Sequence, residues 1–276
     1  MDETAYAKIN LALHVRGREP DGYHRLETLF AFAEDGDLLS VAPANDVGLT
    51  VTGEFADLLE GGGDNLVLQA AEALRARFGV RSGARLHLEK RLPVAAGIGG
   101  GSADAAAALR LLCRFWSLPA GAEDLMDIAR ALGADVPACL ASRTVRGEGR
   151  GDSLQPAAGS VAGLPLLLVN PRRPLATASV FGKWDGVDRG PLDDGDPQAA
   201  AAAGRNDLET AACLLVPDVA EVLHTLRATS GTSLVRMSGS GATCFALYAE
   251  EIDRARAASR LSRDLPRWWL CETRLR

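Results

Sequence analysis

Features that define several large classes of proteins are missing from this sequence. Its 276 residues include only five cysteines, at positions 113, 139, 213, 244 and 271, and no two of them form a Cys-x-x-Cys pair. An odd number of scattered cysteines predicts reduced thiols in a cytoplasmic protein. The pattern argues against both a disulfide framework and a zinc site.

Long apolar runs and a basic N-terminus are also missing. The longest runs, such as residues 164–169, are far shorter than the roughly 20 residues of a membrane-spanning helix. The first residues are acidic, so no secretory signal is predicted. The net charge of −6 argues against broad nucleic-acid binding but not against a local basic pocket. We therefore expect a cytoplasmic monomer or weak homodimer that binds small molecules, and neither nucleic acid nor membranes.

The order of apolar patterns along the chain predicts an α+β fold in two lobes, residues 1–155 and 156–276, because composition changes near residues 147–156. Strands are predicted at residues 5–15, 38–41, 49–51, 85–90, 164–169, 233–237, 243–248 and 268–273. Helices are predicted at residues 65–78, capped by Asp64, and at 102–116, 122–132, 206–215, 218–229 and 250–261. The acidic, alanine-rich residues 185–204 are expected to form a mobile surface insertion.

A glycine-rich loop carries the clearest chemistry. Residues 93–102 read Pro-Val-Ala-Ala-Gly-Ile-Gly-Gly-Gly-Ser, and a predicted helix follows. Glycines allow positive φ angles and a close approach of backbone to ligand, and a helix N-terminus suits phosphate. Ser102 is a candidate ligand for Mg²⁺ or a phosphate oxygen. The alternative is a flexible turn capped by Ser102, and neither the GxxxxGK[ST] nor the GxGxxG pattern is present.

Other polar residues have two readings each. Asp135 is a candidate base or a plain helix cap before Pro137. Lys8, in an apolar strand, is either part of a site or on an exposed edge, and Asn10 shares its face. Other structural alternatives are a packed turn for Tyr23 and His24, a helix start for Asn65, a solvated strand end for Lys90 and a turn between strands for Ser238-Gly-Ser-Gly.

Three blocks in order resemble the GHMP kinase superfamily of small-molecule kinases. They are the loop at residues 93–102, the N-terminal Ala5-Tyr-Ala-Lys-Ile-Asn10 and the C-terminal Arg236-Met-Ser-Gly-Ser-Gly-Ala242. The resemblance spans nearly the whole chain. It implies a ribosomal-protein-like α+β lobe that binds ATP, followed by a ferredoxin-like lobe that binds the substrate.

Four further blocks resemble the kinases of diphosphocytidyl methylerythritol within that superfamily. They are Asp21-Gly-Tyr-His-x-Leu26-x-Thr28, Leu132-Gly-Ala-Asp-Val-Pro137, Asn170-Pro followed by Thr177 and Phe181, and Arg205-Asn-Asp-x-Glu209. The implied reaction is transfer of phosphate from ATP to the 2-hydroxyl of that substrate. Ala176, where proline stands in some relatives, and the acidic stretch depart from the pattern.

The resemblance also implies roles for individual residues. Lys8 and Asp135 are implied as the catalytic pair, with Lys8 lowering the pKa of the substrate hydroxyl. ATP contacts are implied for Pro93, Val94, Ala95, Ala96, Gly97, Ile98, Gly99, Gly100, Gly101, Ser102, Ala103, Asn65 and Lys90. Substrate contacts are implied for Asn10, Tyr23, His24, Thr177, Phe181, Ser238 and Gly239. The competing hypotheses are a mevalonate or homoserine kinase and a GHMP-fold protein that binds a nucleotide without turnover.

Overall fold

The computed structural model describes residues 1–59 and 65–276, which divide into two compact units. Unit 1 comprises Met1–Ala7, Asp35–Val94 and Gly99–Ser142, and unit 2 comprises Lys8–Glu34, Ala95–Ile98 and Arg143–Arg276. Both units are therefore built from separate stretches of chain. The two units are defined by their compactness, whereas the predicted lobes 1–155 and 156–276 are divided at a change of composition and remain a prediction.

The strands of unit 1 form a mixed sheet. The end of β2 (His24–Ala42) pairs antiparallel with β4 (Ala84–Glu89), and β4 pairs in parallel with β3 (Val47–Thr52). The strand predicted at residues 85–90 corresponds to β4, in which Leu86 and Leu88 are buried and the residues between and beside them are more exposed. Strand β1 (Asp2–Arg18), which pairs with β2, covers the first predicted strand and extends it at both ends.

The described residues of unit 1 also form four α-helices. They are α1 (Leu66–Phe78), α2 (Gly100–Phe115), α3 (Ala122–Leu132) and α4 (Val136–Ala141), and a 3-10 helix occupies Ala56–Leu59. Helix α2 packs against α1 and α4, and residues 103–109 are buried all round. Alanine at most of these positions lets neighbouring backbones approach closely.

Two predicted helix starts need correction. Helix α2 begins at Gly100, so Ser102 is its third residue and not its cap. Helix α1 is capped by Asn65, whose side-chain oxygen accepts the backbone N–H of Val67 at 2.9 Å. The predicted cap, Asp64, lies outside the described residues.

Unit 2 contains a second set of strands. The first part of β2 pairs with β5 (Val145–Gly149), which turns into β6 (Ser153–Pro156). Residues 147–156, where composition predicts a boundary, thus form most of this hairpin. A separate antiparallel sheet has the order β10-β7-β9-β8. Its strands are β7 (Pro165–Asn170), β8 (Thr232–Met237), β9 (Cys244–Tyr248) and β10 (Trp269–Arg274).

Helices α8 (Pro217–Arg227) and α9 (Glu251–Asp264) pack on this sheet, and α7 (Glu209–Leu215) packs on α8. The shared core includes Leu167 and Tyr248 from the sheet. Four antiparallel strands covered by helices agree with the ferredoxin-like lobe that the resemblance implies. Among the helices that the structure describes, none is both long and apolar enough to cross a membrane.

Residues 185–204 are mostly exposed, as expected of a surface segment, but they include a helix and buried contacts with the rest of unit 2. They contain α6 (Pro197–Ala203), which Asp196 caps, and Leu192 and Ala200 are buried. The carboxylate of Glu27 accepts the backbone N–H of Leu192 at 2.7 Å, which attaches the segment to β2. The alanine run resembles a low-complexity sequence, but small side chains also suit a helix that packs closely.

Candidate active site

The glycine-rich loop ends at the uncapped start of α2. Gly99 occupies the N-cap position with φ of 66°, and glycine has no side chain with which to cap a helix. The alternative of a turn capped by Ser102 is therefore wrong. The first N–H groups of a 16-residue helix, together with its dipole, form a positively polarised end that suits phosphate.

Within unit 2, the loop meets the C-terminal glycine-rich block. A Cβ atom at Gly97, where φ is 76°, would lie 2.7 Å from the carbonyl oxygen of Gly241. Ser238 donates its hydroxyl to the carbonyl of Gly97 at 2.9 Å, and Thr243 donates its N–H to Ala96 at 3.1 Å. Two motifs far apart in the sequence are thus joined by hydrogen bonds, and Gly97 admits no larger residue there.

Lys8 lies in a buried polar group on β1. Its side chain is 3% exposed, and its ammonium donates to the side-chain oxygen of Asn10 at 3.0 Å. Asn10 donates to the hydroxyl of Thr28 at 2.8 Å, and its N–H donates to Ser238 at 3.2 Å. The alternative of an exposed edge for Lys8 is wrong, and the shared face of Lys8 and Asn10 is confirmed. Thr28 ends the sequence block that begins at Asp21, although no role was predicted for it.

Asp135 stands at the N-cap position of α4, half-buried, with its backbone in the αR region. A capping residue normally has an extended backbone. Within the described part of the chain its side chain does not cap the helix, so the reading as a plain cap is wrong.

Asn65 and Lys90, both predicted to contact ATP, have structural partners. Asn65 caps α1, as its structural alternative proposes. Lys90 is 2% exposed and is ion-paired with Asp37 and Asp104, so the alternative of a solvated strand end is wrong. The contacts of Asn65 and Lys90 with ATP remain predictions.

Three aromatic rings form a group in unit 2. The His24 ring lies 4.9 Å from that of Phe181 and 5.5 Å from that of Trp184, centroid to centroid. Burial, with the nearby charge of Arg18, lowers the pKa of His24, so the imidazole is neutral at pH 7. Trp184 was not predicted, although its spacing of three from Phe181 at the end of α5 (Thr177–Gly182) is a helical signal.

Tyr23 remains 55% exposed beside this group. The guanidinium of Arg150 lies 3.8 Å from the centre of its ring and is ion-paired with Asp21. Asp21 also accepts the backbone N–H of Tyr23 at 3.0 Å. One face of the Tyr23 ring is thus backed by a cation, an arrangement that holds the ring in place.

The remaining predicted substrate residues surround the C-terminal glycine turn. The hydroxyls of Thr177 and Ser240 are 3.0 Å apart, which connects the start of α5 with that turn. Asn206 donates from its side-chain nitrogen to the carbonyls of Met237 and Gly239, each at 2.8 Å. Ser238 is fully buried, so its hydroxyl supports the turn.

Comparisons with known proteins agree with this geometry. Residues 65–143 match the family model described as GHMP kinases N terminal domain, and residues 192–267 match GHMP kinases C terminal. A 4-diphosphocytidyl-2-C-methyl-D-erythritol kinase of Rhizorhabdus wittichii is 57% identical, over 99% of this chain and 94% of the relative. The chain belongs to this family of GHMP kinases.

Other members of the 4-diphosphocytidyl-2-C-methyl-D-erythritol kinase family support the assignment. The one from Novosphingobium aromaticivorans is 54% identical, over 97% of this chain and 90% of the relative. A crystal structure titled 4-(cytidine 5'-diphospho)-2C-methyl-D-erythritol kinase has a TM-score of 0.82 at 36% identity, covering 100% of this chain and 99% of that one. The GHMP resemblance and the α+β fold are confirmed, and the family implies that the chain uses ATP.

More distant neighbours share the fold alone. The mevalonate kinase of Methanococcus jannaschii has a TM-score of 0.70 over 100% of this chain and 98% of that one, at 10% identity. The same architecture therefore accommodates different alcohols, and the choice of substrate has to come from side chains.

Proposed function

We propose that this chain transfers the γ-phosphoryl group of ATP to the 2-hydroxyl of 4-diphosphocytidyl-2-C-methyl-D-erythritol, giving the 2-phosphate and ADP, in the non-mevalonate pathway to isoprenoid precursors. The observation that carries the proposal is 57% identity over 99% of the chain to a relative that bears this kinase's name. We also propose that the protein acts in the cytoplasm, as a monomer or weak homodimer.

The phosphates of ATP bind, in this proposal, at the glycine-rich loop and the start of α2. Residues 93–103 contact the nucleotide, N–H groups at the start of α2 donate to its phosphates, and Gly99 leaves that helix end uncapped. Phosphoryl transfer proceeds through a loose transition state, so positioning and charge neutralisation provide most of the catalysis.

Lys8 and Asp135 handle the proton of the substrate hydroxyl. Asp135 accepts the proton as the bond to phosphorus forms. Lys8 stabilises the developing negative charge on the oxygen, with its ammonium oriented by Asn10. The pairing of Lys8 with Asp135 remains a prediction.

Cytosine is recognised, in this proposal, by the aromatic residues of unit 2. Tyr23 and Phe181 offer ring faces for stacking, and neutral His24 offers one donor and one acceptor to the base edge. Arg150 and Trp184 contact these residues and hold them in place.

Mg²⁺ enters the proposal as the ion that accompanies ATP. Among the described residues, no group of three or more His, Cys, Asp or Glu side chains is arranged to hold a metal ion. The half-buried hydroxyl of Ser102, at the start of α2, is the side chain that we assign to it. One protein ligand fits Mg²⁺ in a kinase, because the ion keeps several waters and binds substrate phosphates. When bound, it neutralises charge on the transferring group.

The decisive experiment measures ADP release from Mg-ATP with each candidate alcohol. We expect rapid release with the diphosphocytidyl substrate and little with mevalonate or homoserine. Faster turnover of mevalonate or homoserine would support a kinase activity but contradict the proposed diphosphocytidyl substrate. ATP binding with no turnover of any alcohol would favour the protein that binds a nucleotide without catalysis.

A further inference from the structure

Unit 1 contains three buried charged side chains that the proposed reaction does not use directly. Asp37 lies in β2, Lys90 follows β4 and Asp104 lies in α2, and their side chains are 0%, 2% and 4% exposed. Charged residues are rarely buried so completely, because the loss of hydration is compensated only by well-placed partners. These partners identify the backbone segments that the cluster connects.

Asp37 fixes the backbone where the glycine-rich loop starts. One of its oxygens accepts the N–H groups of Arg91 and Leu92, at 2.6 and 2.8 Å, immediately before Pro93. Its other oxygen accepts from the ammonium of Lys90. The Asp37 carboxylate thus holds the backbone of Arg91 and Leu92, the last two residues before the loop, and the side chain of Lys90.

Lys90 extends the connection to the other end of the loop. Its ammonium also donates to Asp104 at 2.8 Å, in the second turn of α2. A Cβ atom at Gly100, the first residue of α2, would lie 3.4 Å from the Lys90 nitrogen and 4.0 Å from Asp37. The cluster therefore lies directly against the helix turn that offers its N–H groups to phosphate.

Asp104 retains hydrogen-bonding capacity. Its second carboxylate oxygen is buried and has no hydrogen-bond partner among the described residues. Burial raises the pKa of this carboxyl to about 7, with Lys90 acting in the opposite direction and Asp37 in the same one. A buried acceptor without a partner is costly, so Asp104 is poorly explained as a contribution to stability alone.

We propose that Asp37, Lys90 and Asp104 form a positioning cluster, which holds the start of the glycine-rich loop and the first turn of α2 in the conformation that binds the phosphates of ATP. The three residues act through the backbone and do not touch the nucleotide. The inference rests on the proposed function only in assigning ATP to this loop. It gives Lys90 a different role from the ATP contact that the family resemblance implies.

The test uses Asp104→Asn, which keeps the shape of the side chain, and Lys90→Met, which keeps the stem and removes the charge. Binding of Mg-ATP is measured by calorimetry without the alcohol, and amide hydrogen exchange is measured on the nucleotide-free protein. We expect ATP binding to weaken about tenfold or more in both variants, since small displacements of binding groups are costly. Exchange at residues 91, 92 and 99–103 is expected to accelerate.

Asp127→Asn is the matched control. Asp127 lies in α3 of the same unit, paired with Arg130 and 67% exposed, so its variant is expected to keep wild-type affinity and exchange. If Lys90→Met leaves two buried carboxylates too unstable to fold, Lys90→Met combined with Asp104→Leu removes one charge of each sign. The double variant is expected to fold while showing the same weak binding and fast exchange.

Two results would overturn the proposal. The first is wild-type ATP affinity in folded Asp104→Asn protein. The second is weakened binding in Lys90→Met without faster exchange in the free protein, which would make Lys90 a direct ATP contact. A different result would contradict the proposed function: wild-type protein would bind Mg-ATP but would not turn over the cytidine substrate.

Discussion

At the scale of single residues, the environments of Lys8 and Asp135 are compatible with their proposed roles. Lys8 is buried and oriented by Asn10, and Asp135 sits at the start of α4. If both act in the transition state, Lys8→Ala and Asp135→Asn each lower kcat by about 10²–10⁴-fold and leave ATP binding nearly unchanged. Steady-state kinetics together with calorimetry check this. Near wild-type turnover in either variant would show that the substituted residue does not act in the transition state. Asp127→Asn serves as the control.

The aromatic residues make a second prediction at this scale. A stacked ring contributes about 0.5–1.5 kcal/mol beyond burial, and an unpaired base edge costs about 1–3 kcal/mol. Tyr23→Ala and His24→Ala therefore each lower kcat/KM for the cytidine substrate roughly five- to hundred-fold. Most of the loss appears in KM, because cytosine is remote from the reacting oxygen.

Tyr23→Phe is the control for this prediction, since it keeps the ring and is expected to behave as wild type. ATP affinity is expected to stay constant in all three variants. Wild-type kcat/KM in both alanine variants would leave the kinase assignment intact and reject this cytosine site.

At the scale of elements, the glycine-rich loop predicts a contrast between two of its glycines. Gly97→Ala places a Cβ at positive φ against the carbonyls of Ser238 and Gly241, a strain of about 1–3 kcal/mol before any clash. Gly101→Ala places it in a helix, 3.7 Å from the Leu66 side chain. Thermal unfolding is expected to show a lower Tm for Gly97→Ala and an unchanged or higher one for Gly101→Ala. Equal Tm values would contradict the observed approach of the two motifs.

His14 connects β1 with the segment before α7 and makes folding sensitive to pH. Its Nε2 accepts the N–H of Arg205 at 3.2 Å, so Nδ1 carries the proton and donates to Gly190 at 3.2 Å. Protonation of Nε2 would remove the acceptor for the Arg205 N–H. Burial is the main cause that lowers the pKa of His14, and the charge of Arg205 adds to it.

The sign of the pH effect follows from linkage. Below the ordinary histidine pKa of about 6.5, the unfolded chain binds a proton that the folded chain resists, so stability falls as the pH is lowered. Urea unfolding between pH 7 and 5 is expected to show this loss, and His14→Gln is expected to reduce its slope. An unchanged slope in the variant would show that His14 is not responsible. His24, whose pKa is also lowered, contributes in the same direction.

Local patterns predicted most helices and short strands, and α3 agrees to the residue. The long strand β2 was recognised only at 38–41, because residues 28–33 are buried on both faces and show no alternation. The start of α2 was misplaced because serine is a common cap, whereas the N-cap position here is held by Gly99, which has no side chain. The contact of Asp37 with Lys90 joins positions 53 apart, a distance at which local patterns carry no information.

At the scale of the whole molecule, composition and motif order predicted the fold class, but not that both compact units are assembled from separate stretches. Motifs singled out the glycine-rich loop and the polar residues of β1 as candidate site residues. Trp184 and Arg150 were missed because their importance comes from neighbours that only the fold supplies. Family resemblance, which reflects shared ancestry, was needed to choose cytosine over other substrates.

The position of β10 in its sheet affects the tendency of the chain to aggregate during synthesis. All six residues of β7 are buried, and β10, near the end of the chain, covers one of its edges. Until β10 emerges from the ribosome, β7 exposes a row of unsatisfied backbone groups flanked by leucines, which favours pairing between nascent chains. A chain that stops before Trp269 is therefore expected to accumulate in inclusion bodies, however intact its catalytic motifs are.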